Sequence, residues 1–297
     1  MNGILLLDKP RGLSSNAALQ RVRRLLGADK AGHVGSLDPL ATGMLPICLG
    51  EATKVAGDIT AARKRYQFTL ALGSRTTTGD LEGEVVEQAP VPSLTTAQVQ
   101  LALEHFRGGQ SQVPPMFSAL KRDGQPLYKL ARAGVTVERA ARSIQISELS
   151  LLQLADGQVE LVALCSKGTY IRVLAEDIAR HLGTCGHVTA LRRLYVEPFA
   201  DAAMLTLVEV EAACRGGARP ALIAPDAALP AMPAVHLPAE LAARLAHGQA
   251  VLLAGGTPTG KVRLYDPHGR FMGLGEADAR GQVRPRRLFA ACESAFP

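Results

Sequence analysis

Apolar positions recur along this chain at two periods, one suited to strands and one to helices. Residues 3–7 form a short unbroken apolar run, as in a strand buried on both faces. Ser14 or Ser15 can cap a helix reaching about Leu26, with Val22, Leu25 and Leu26 on one face and Gly27 at its end. Residues 44–49 are a second apolar strand, and 51–59 predict a short helix. Residues 67–72 alternate through Phe68, Leu70 and Leu72, a strand pattern. Thr95 or Thr96 starts a helix that runs to about Phe106 and stops at Gly108-Gly109. Residues 144–154 and 159–165 flank the turn Asp156-Gly157 and predict a hairpin. Residues 171–182 carry Ile171, Leu174, Ala175, Ile178 and Leu182 at helical spacing and end at Gly183. Strands and helices mix without a βαβ rhythm, so the pattern predicts an α+β architecture, a mixed, largely antiparallel sheet flanked by helices.

The pattern changes after about residue 220. Residues 221–238 are rich in Ala and Pro, with prolines at 225, 230, 233 and 238, and read as a linker. Residues 249–254, 260–265, 271–276 and 286–290 are short segments separated by turn residues, which predicts a small β barrel with one helix before it. Arg284, Arg286 and Arg287 suit a phosphate contact, or equally the charged edge of a strand.

Composition narrows the function. The 297 residues suffice for one large and one small domain, and a 47% hydrophobic share supports a sizeable core. Net charge is +6, and residues 1–150 hold 18 Lys and Arg against 13 Asp and Glu, so most of the excess lies in the first half. That balance fits attraction to phosphate but does not require it. The clusters Arg21 to Arg24, Arg63 to Arg65 and Arg192-Arg193 read first as solvated faces. Aromatics make up only 4% and Trp is absent, fewer than a protein that stacks nucleic-acid bases on aromatic platforms would carry. Cys48, Cys165, Cys185, Cys214 and Cys292 form no CxxC pair and suit reduced thiols in a cytoplasmic protein, with no zinc site. No signal peptide or membrane-spanning run is expected.

The candidate chemistry centres on the run from His33 to Gly43, which sets one carboxylate, Asp38, among Gly, Ser, Pro and Thr. Pro39 fixes its own φ and turns Asp38 away from helix, and the glycines allow tight backbone angles. Such a loop can hold one acid and one histidine in fixed geometry. Spacing alone leaves Asp38 equally readable as a turn starter.

The segment from Gly32 to Lys54 resembles the signature of the tRNA pseudouridine synthase B (TruB) family. The likeness continues in Gly3 to Pro10, in Lys64-Arg65-Tyr66, in the loop from Gly73 to Gly83, in Pro114 to Lys121 with Tyr128 and Arg132, in Ser166 to Arg172, and in His187 to Arg193. Phe117 stands where bacterial relatives usually carry Tyr. The resemblance implies a pseudouridine synthase fold over residues 1–229, with an RNA-gripping insertion, the thumb, at about 113–142. It also implies a PUA-like RNA-binding β barrel at 230–297.

The implied activity is isomerisation of uridine 55 in the T-loop of tRNA. The implied catalytic residue is Asp38, and the implied substrate-binding residues are His33, Tyr66, Tyr170 and Leu191. Arg172, Lys54 and Asp80 are implied as supports, with Lys54 expected near the active site. No cofactor or metal is implied, and the expected partner is the T-arm and elbow of tRNA. A stand-alone monomer is expected. A guide-RNA-dependent synthase fits less well, because this chain has the long insertion and no lysine-rich tail. A non-catalytic tRNA chaperone would not need Asp38, Tyr66 and Arg172 together. A glycosidase would need a second carboxylate, and a zinc deaminase would need motifs that are absent.

Overall fold

A computed structural model describes residues 1–253 and 258–290. Cys292, Ala254 and the end of the last barrel segment's domain at 297 lie outside the described residues. The main sheet has nine strands: β1 (Gly3–Lys9), β2 (Ala31–His33), β3 (Thr42–Leu49), β4 (Lys64–Leu72), β5 (Gly108–Gln112), β6 (Arg142–Ala155), β7 (Gln158–Cys165), β8 (Gly186–Val196) and β9 (Leu205–Thr206). They lie in the order β9-β1-β3-β8-β4-β7-β6-β5, with β2 added on β3. Only β9 with β1 and β3 with β8 run parallel, so the sheet is mixed and largely antiparallel.

The strand core follows from the apolar runs. Leu5, Leu7, Leu45, Ile47, Phe68, Leu70, Val159 and Leu161 share one face, where the helices Ser15–Leu25, Thr96–Glu104, Ile171–His181 and Leu207–Arg215 cover them. Ile4, Leu6, Met44 and Cys48 face the opposite way, toward Val55, Ile59 and Phe199. The capping reading holds: the Ser14 hydroxyl accepts from Ala17 N, and Thr95 with Gln98 forms a reciprocal capping box. The 144–165 hairpin is present, and Asp156 (φ +50°) and Gly157 (φ +74°) supply the left-handed pair its two-residue turn needs.

Four departures stand out. Residues 51–59 form two short turns rather than one helix, a 3-10 turn Gly50–Lys54 and a helical turn Ala56–Thr60. Gly108 and Gly109 begin β5, because Arg142–Ile146 offers their backbone a strand to pair with. The Ala/Pro-rich segment is tied down at both ends: Ile223 bridges Ile4, and Ala234–His236 pairs in parallel with Gly260–Tyr265. Of the basic clusters, Arg193 and Lys64 are not solvated: Arg193, the largest fully buried side chain among the described residues, is 1% exposed, and Lys64 is 5% exposed.

Among the described residues the second sheet has five strands, adding Val251–Leu252, Phe271–Ala277 and Gln282–Leu288 to that pair, with the helix Ala239–Ala246 before them. This is the PUA-like portion, and it rests on the 50–60 region. Leu274 packs with Val55 and Ile59, and Lys261 Nζ meets Asp58 Oδ1 at 2.6 Å.

The seam between β3 and β8 positions the site. Only Thr42 with Arg192 and Gly43 with Arg193 pair across it. Since β1 occupies the other edge of β3, β2 and β8 must share this one. The loop 34–41 therefore leaves β2 where the two halves of the sheet part. Gly43 permits the junction: at φ +95°, a Cβ there would lie 2.2 Å from Arg193 O.

Candidate active site

The acid loop 34–41 is bound from several sides. The buried Ser15 hydroxyl accepts from Leu37 N at 2.7 Å and donates to Leu37 O at 3.0 Å. Gly12 N donates to Pro39 O at 2.8 Å, and Lys9 Nζ reaches the same carbonyl at 3.4 Å as well as Leu13 O at 2.7 Å. Ala41 N donates to Asp38 O at 3.1 Å, closing the turn that Asp38-Pro39 starts.

Asp38 heads a charge network. Its Oδ2 lies 2.9 Å from Arg172 Nε, and Asp80 Oδ2 lies 3.7 Å from the same nitrogen. The side chains of Arg172 and Asp80 are only 5% and 4% exposed, whereas that of Asp38 is 40% exposed, so Asp38 is the member a substrate can reach. The other Arg172 nitrogens donate to Thr78 O at 2.6 Å and to Phe117 O at 2.7 Å. Asp80 in turn accepts from Thr78 Oγ1 at 2.6 Å and from Glu82 N at 3.1 Å. The segment 113–142 thus touches the network through the Phe117 main-chain carbonyl, a contact that needs no side-chain hydroxyl.

The electrostatics follow from this packing. Burial pushes the Asp38 carboxyl above its ordinary value; Arg172 opposes the rise, Asp80 adds to it and Lys9 opposes it. Burial lowers Lys9 to about 8, with Asp38 and Glu82 opposing. His33 is lowered by burial and then by the Arg193 charge, which favours the neutral ring, and its Nδ1 is buried without a hydrogen-bond partner. Burial raises both Tyr66 and Tyr170, and Asp38 adds to the rise of each. Both phenols therefore lie within the field of the same carboxylate.

Each expected site residue has a clear placement. Tyr66 is on β4 opposite Arg193, and Leu191 is on β8 opposite Phe68, on the same face of the sheet. Tyr170 immediately precedes the Ile171–His181 helix, and Gln112 grips its backbone by accepting from Tyr170 N at 2.8 Å and donating to Tyr170 O at 3.1 Å. His33 ends β2 at the mouth of the loop. Lys54 stands apart from this group. Its ammonium pairs with Glu51, donates to Leu288 O at 2.6 Å and lies 5.9 Å from the Phe289 ring, so it fastens the second sheet.

Sequence reasoning gave no site role to Gln112, Ser15 or Glu82, reading Ser15 only as a possible helix cap. The first two act by hydrogen bonds to main chain far away in sequence, which no local motif announces. Glu82 was legible only as two residues after Asp80; both Asp80 and Asp38 act on its acidity after burial, which places a second acid at the rim. Among the described residues, no three His, Cys, Asp or Glu side chains cluster as metal ligands, and no helix is long and apolar enough to cross a membrane.

Comparison with known proteins gives matches along nearly the whole chain. Residues 23–171 match the N-terminal domain of TruB family pseudouridylate synthases. Residues 172–224 match a tRNA pseudouridylate synthase B C-terminal domain, and residues 233–289 the pseudouridine synthase II TruB C-terminal domain. The chain is 51% identical to tRNA pseudouridine synthase B of Stutzerimonas stutzeri over 97% of its length and 95% of that protein. It is 51% identical to the protein of that name from Sodalis glossinidius, over 98% and 96%. Among solved structures, a chain in a Cbf5-Nop10-Gar1 complex superposes with a TM-score of 0.72 at 25% identity, covering 94% of this chain and 79% of that one. A chain of an H/ACA RNP bound to a substrate RNA superposes at 0.73 with 22% identity, over 97% and 85%, and shares the fold.

Proposed function

The chain belongs to the TruB family of pseudouridylate synthases, and from that premise we propose that it isomerises uridine 55 in the T-loop of tRNA to pseudouridine, alone, with Asp38 as the essential carboxylate. The observation that carries the proposal is the 2.9 Å contact of a reachable Asp38 with a buried Arg172.

In the reaction the N1–C1′ bond of the nucleotide breaks, the uracil turns, and C5 bonds to C1′. The C5 hydrogen leaves to solvent while N1 takes up a proton, so the change is redox-neutral and its chemistry calls for no cofactor. Asp38 serves as an ionised group, whether it attacks sugar or base or removes the C2′ proton. Burial works against that charge, and the Arg172 guanidinium opposes this by favouring the carboxylate. Tyr66 and Tyr170 position the uracil, and Leu191 packs against it. The target base is stacked within folded tRNA, so it is extruded at a cost of a few kcal/mol. His33, with its ring kept neutral and one nitrogen unpartnered, fills the space the base leaves. The insertion grips the RNA, with Lys121, Arg122, Lys129 and Arg132 available to phosphates.

The test is tritium release from a tRNA transcript carrying [5-³H]uridine, incubated with the purified chain and nothing else. Release from this transcript, and none from one with cytidine at position 55, is the expected result. Equal release from both would overturn the site assignment. No release without added protein or guide RNA would overturn stand-alone action.

A further inference from the structure

Arg193 has no part in the chemistry above, yet it occupies the seam on which the site is built. Its Nε donates to Met44 O at 2.7 Å, and its Nη2 donates to Gly35 O at 2.9 Å and to Val34 O at 3.4 Å. Val34 and Gly35 enter the acid loop and Met44 follows its exit, so one planar side chain joins both ends of the segment that carries Asp38. The same guanidinium lies against the Tyr66 hydroxyl from the neighbouring strand. Gly35 leaves it room: at φ +68°, a Cβ there would stand 3.1 Å from Arg193 Nη1.

Stability alone is a poor reason for this residue. Arg193 is 1% exposed, and among the described residues no carboxylate comes within ion-pair distance of it. A buried cation is costly unless its donors are satisfied, and here carbonyl dipoles do that work. Lys could not replace it, because a single ammonium on a flexible stem does not span carbonyls on two sides in one plane.

We infer that Arg193 is a positioning residue: its guanidinium staples the two ends of the acid loop and fixes Asp38 and Tyr66 relative to each other. The catalytic half of the inference rests on the reading of Asp38 proposed above; the staple itself does not. The charge also acts on neighbouring groups, lowering His33, Lys64 and Lys9 after burial.

The test compares the full-length wild type with Arg193→Lys by two independent readouts. In tritium release, Arg193→Lys loses kcat on the order of 100-fold, as for a displacement of about 1 Å at the reacting groups, while KM for tRNA stays within about threefold. In hydrogen exchange of the RNA-free protein, peptides covering residues 34–44 exchange about tenfold faster, while those from β6 and β7 stay within about threefold of wild type. Gly35→Ala presses on the same contact from the loop side and gives the same pattern, which keeps the inference open to refutation if Arg193→Lys fails to fold. A raised KM with normal kcat would make Arg193 a substrate contact. Uniformly faster exchange with a lowered Tm would make it a general stability residue, and unchanged exchange would remove the staple. Inactive wild type would overturn the functional reading, and the exchange pattern would still decide the staple.

Discussion

Replacing Arg172 with Met should shift the acid limb of the pH–rate profile upward, because Arg172 is the nearest cation opposing the burial-driven rise of the Asp38 carboxyl. With Nε and Oδ2 2.9 Å apart, the charge centres lie about 4 Å from each other, and at an effective dielectric of ~20 their attraction is about 4 kcal/mol. The Asp38 side chain is 40% exposed, so solvent screening reduces this to ~2 kcal/mol. That corresponds to roughly a 30-fold bias toward the carboxylate. The sign follows from the direction of the shift. Burial already raises Asp38, so removing the opposing cation raises it further, and at a given pH less of the enzyme carries the charge. Single-turnover tritium release at saturating enzyme, measured across roughly pH 5 to 9, reads this directly. Arg172→Met should be slower by about 30-fold on the acid limb, with the deficit shrinking as pH rises and ionises both proteins. A deficit constant at every pH would mean that Arg172 acts by geometry alone, and no deficit would refute the pairing as a catalytic device.

Further perturbations probe the loop, the seam and the buried charges. His33→Ala should weaken tRNA binding by about tenfold, near 1.4 kcal/mol, in filter binding, while leaving the single-turnover rate of bound tRNA within about threefold; a defect confined to chemistry would contradict its space-filling role. Gly43→Ala would put a Cβ 2.2 Å from Arg193 O at a positive φ, so Tm should fall on the order of 10 °C by calorimetry. Gly12→Ala, at φ +86° with open space around it, should fall far less, and equal losses would refute the close-approach argument. Lys64 is 5% exposed and lowered by burial to about 8, so the folded state releases its proton before the unfolded state does. Its contribution to stability should therefore rise from about pH 8 toward 10.5, and Lys64→Met should remove that slope in urea unfolding compared at roughly pH 7.5 and 9.5.

The parts of the fold that could be read from the sequence were those in which burial and polarity alternate simply. The apolar runs of β1 and β3, the Asp156-Gly157 hairpin and the capped helices obey local rules, and the structure follows them. β8 does not, although it lies at the centre of the sheet. It carries His187 and Arg193 at buried positions, so its polar residues hide a strand that pairing with β4 creates. β5 reads Gly-Gly-Gln-Ser-Gln and is a strand only because β6 lies beside it. In the site, the loop and its acid were legible, because Gly, Pro and Asp constrain their own backbone. The Arg172 contact joins positions 134 residues apart in sequence, and only the resemblance pointed to it. Lys54 shows the converse. It falls inside the matching segment, yet β3 carries it away from the loop to the far end of the strand, where it holds Leu288.

The most direct measurement on the central claim is single-turnover tritium release by Asp38→Asn, with tRNA binding and Tm measured on the same preparation. Asparagine keeps the shape and removes the negative charge. The Asp38 mechanism predicts tRNA affinity near wild type, a folded protein, and release indistinguishable from a no-enzyme control. Release at a rate comparable to wild type would contradict it and move the chemistry to another group in the cleft.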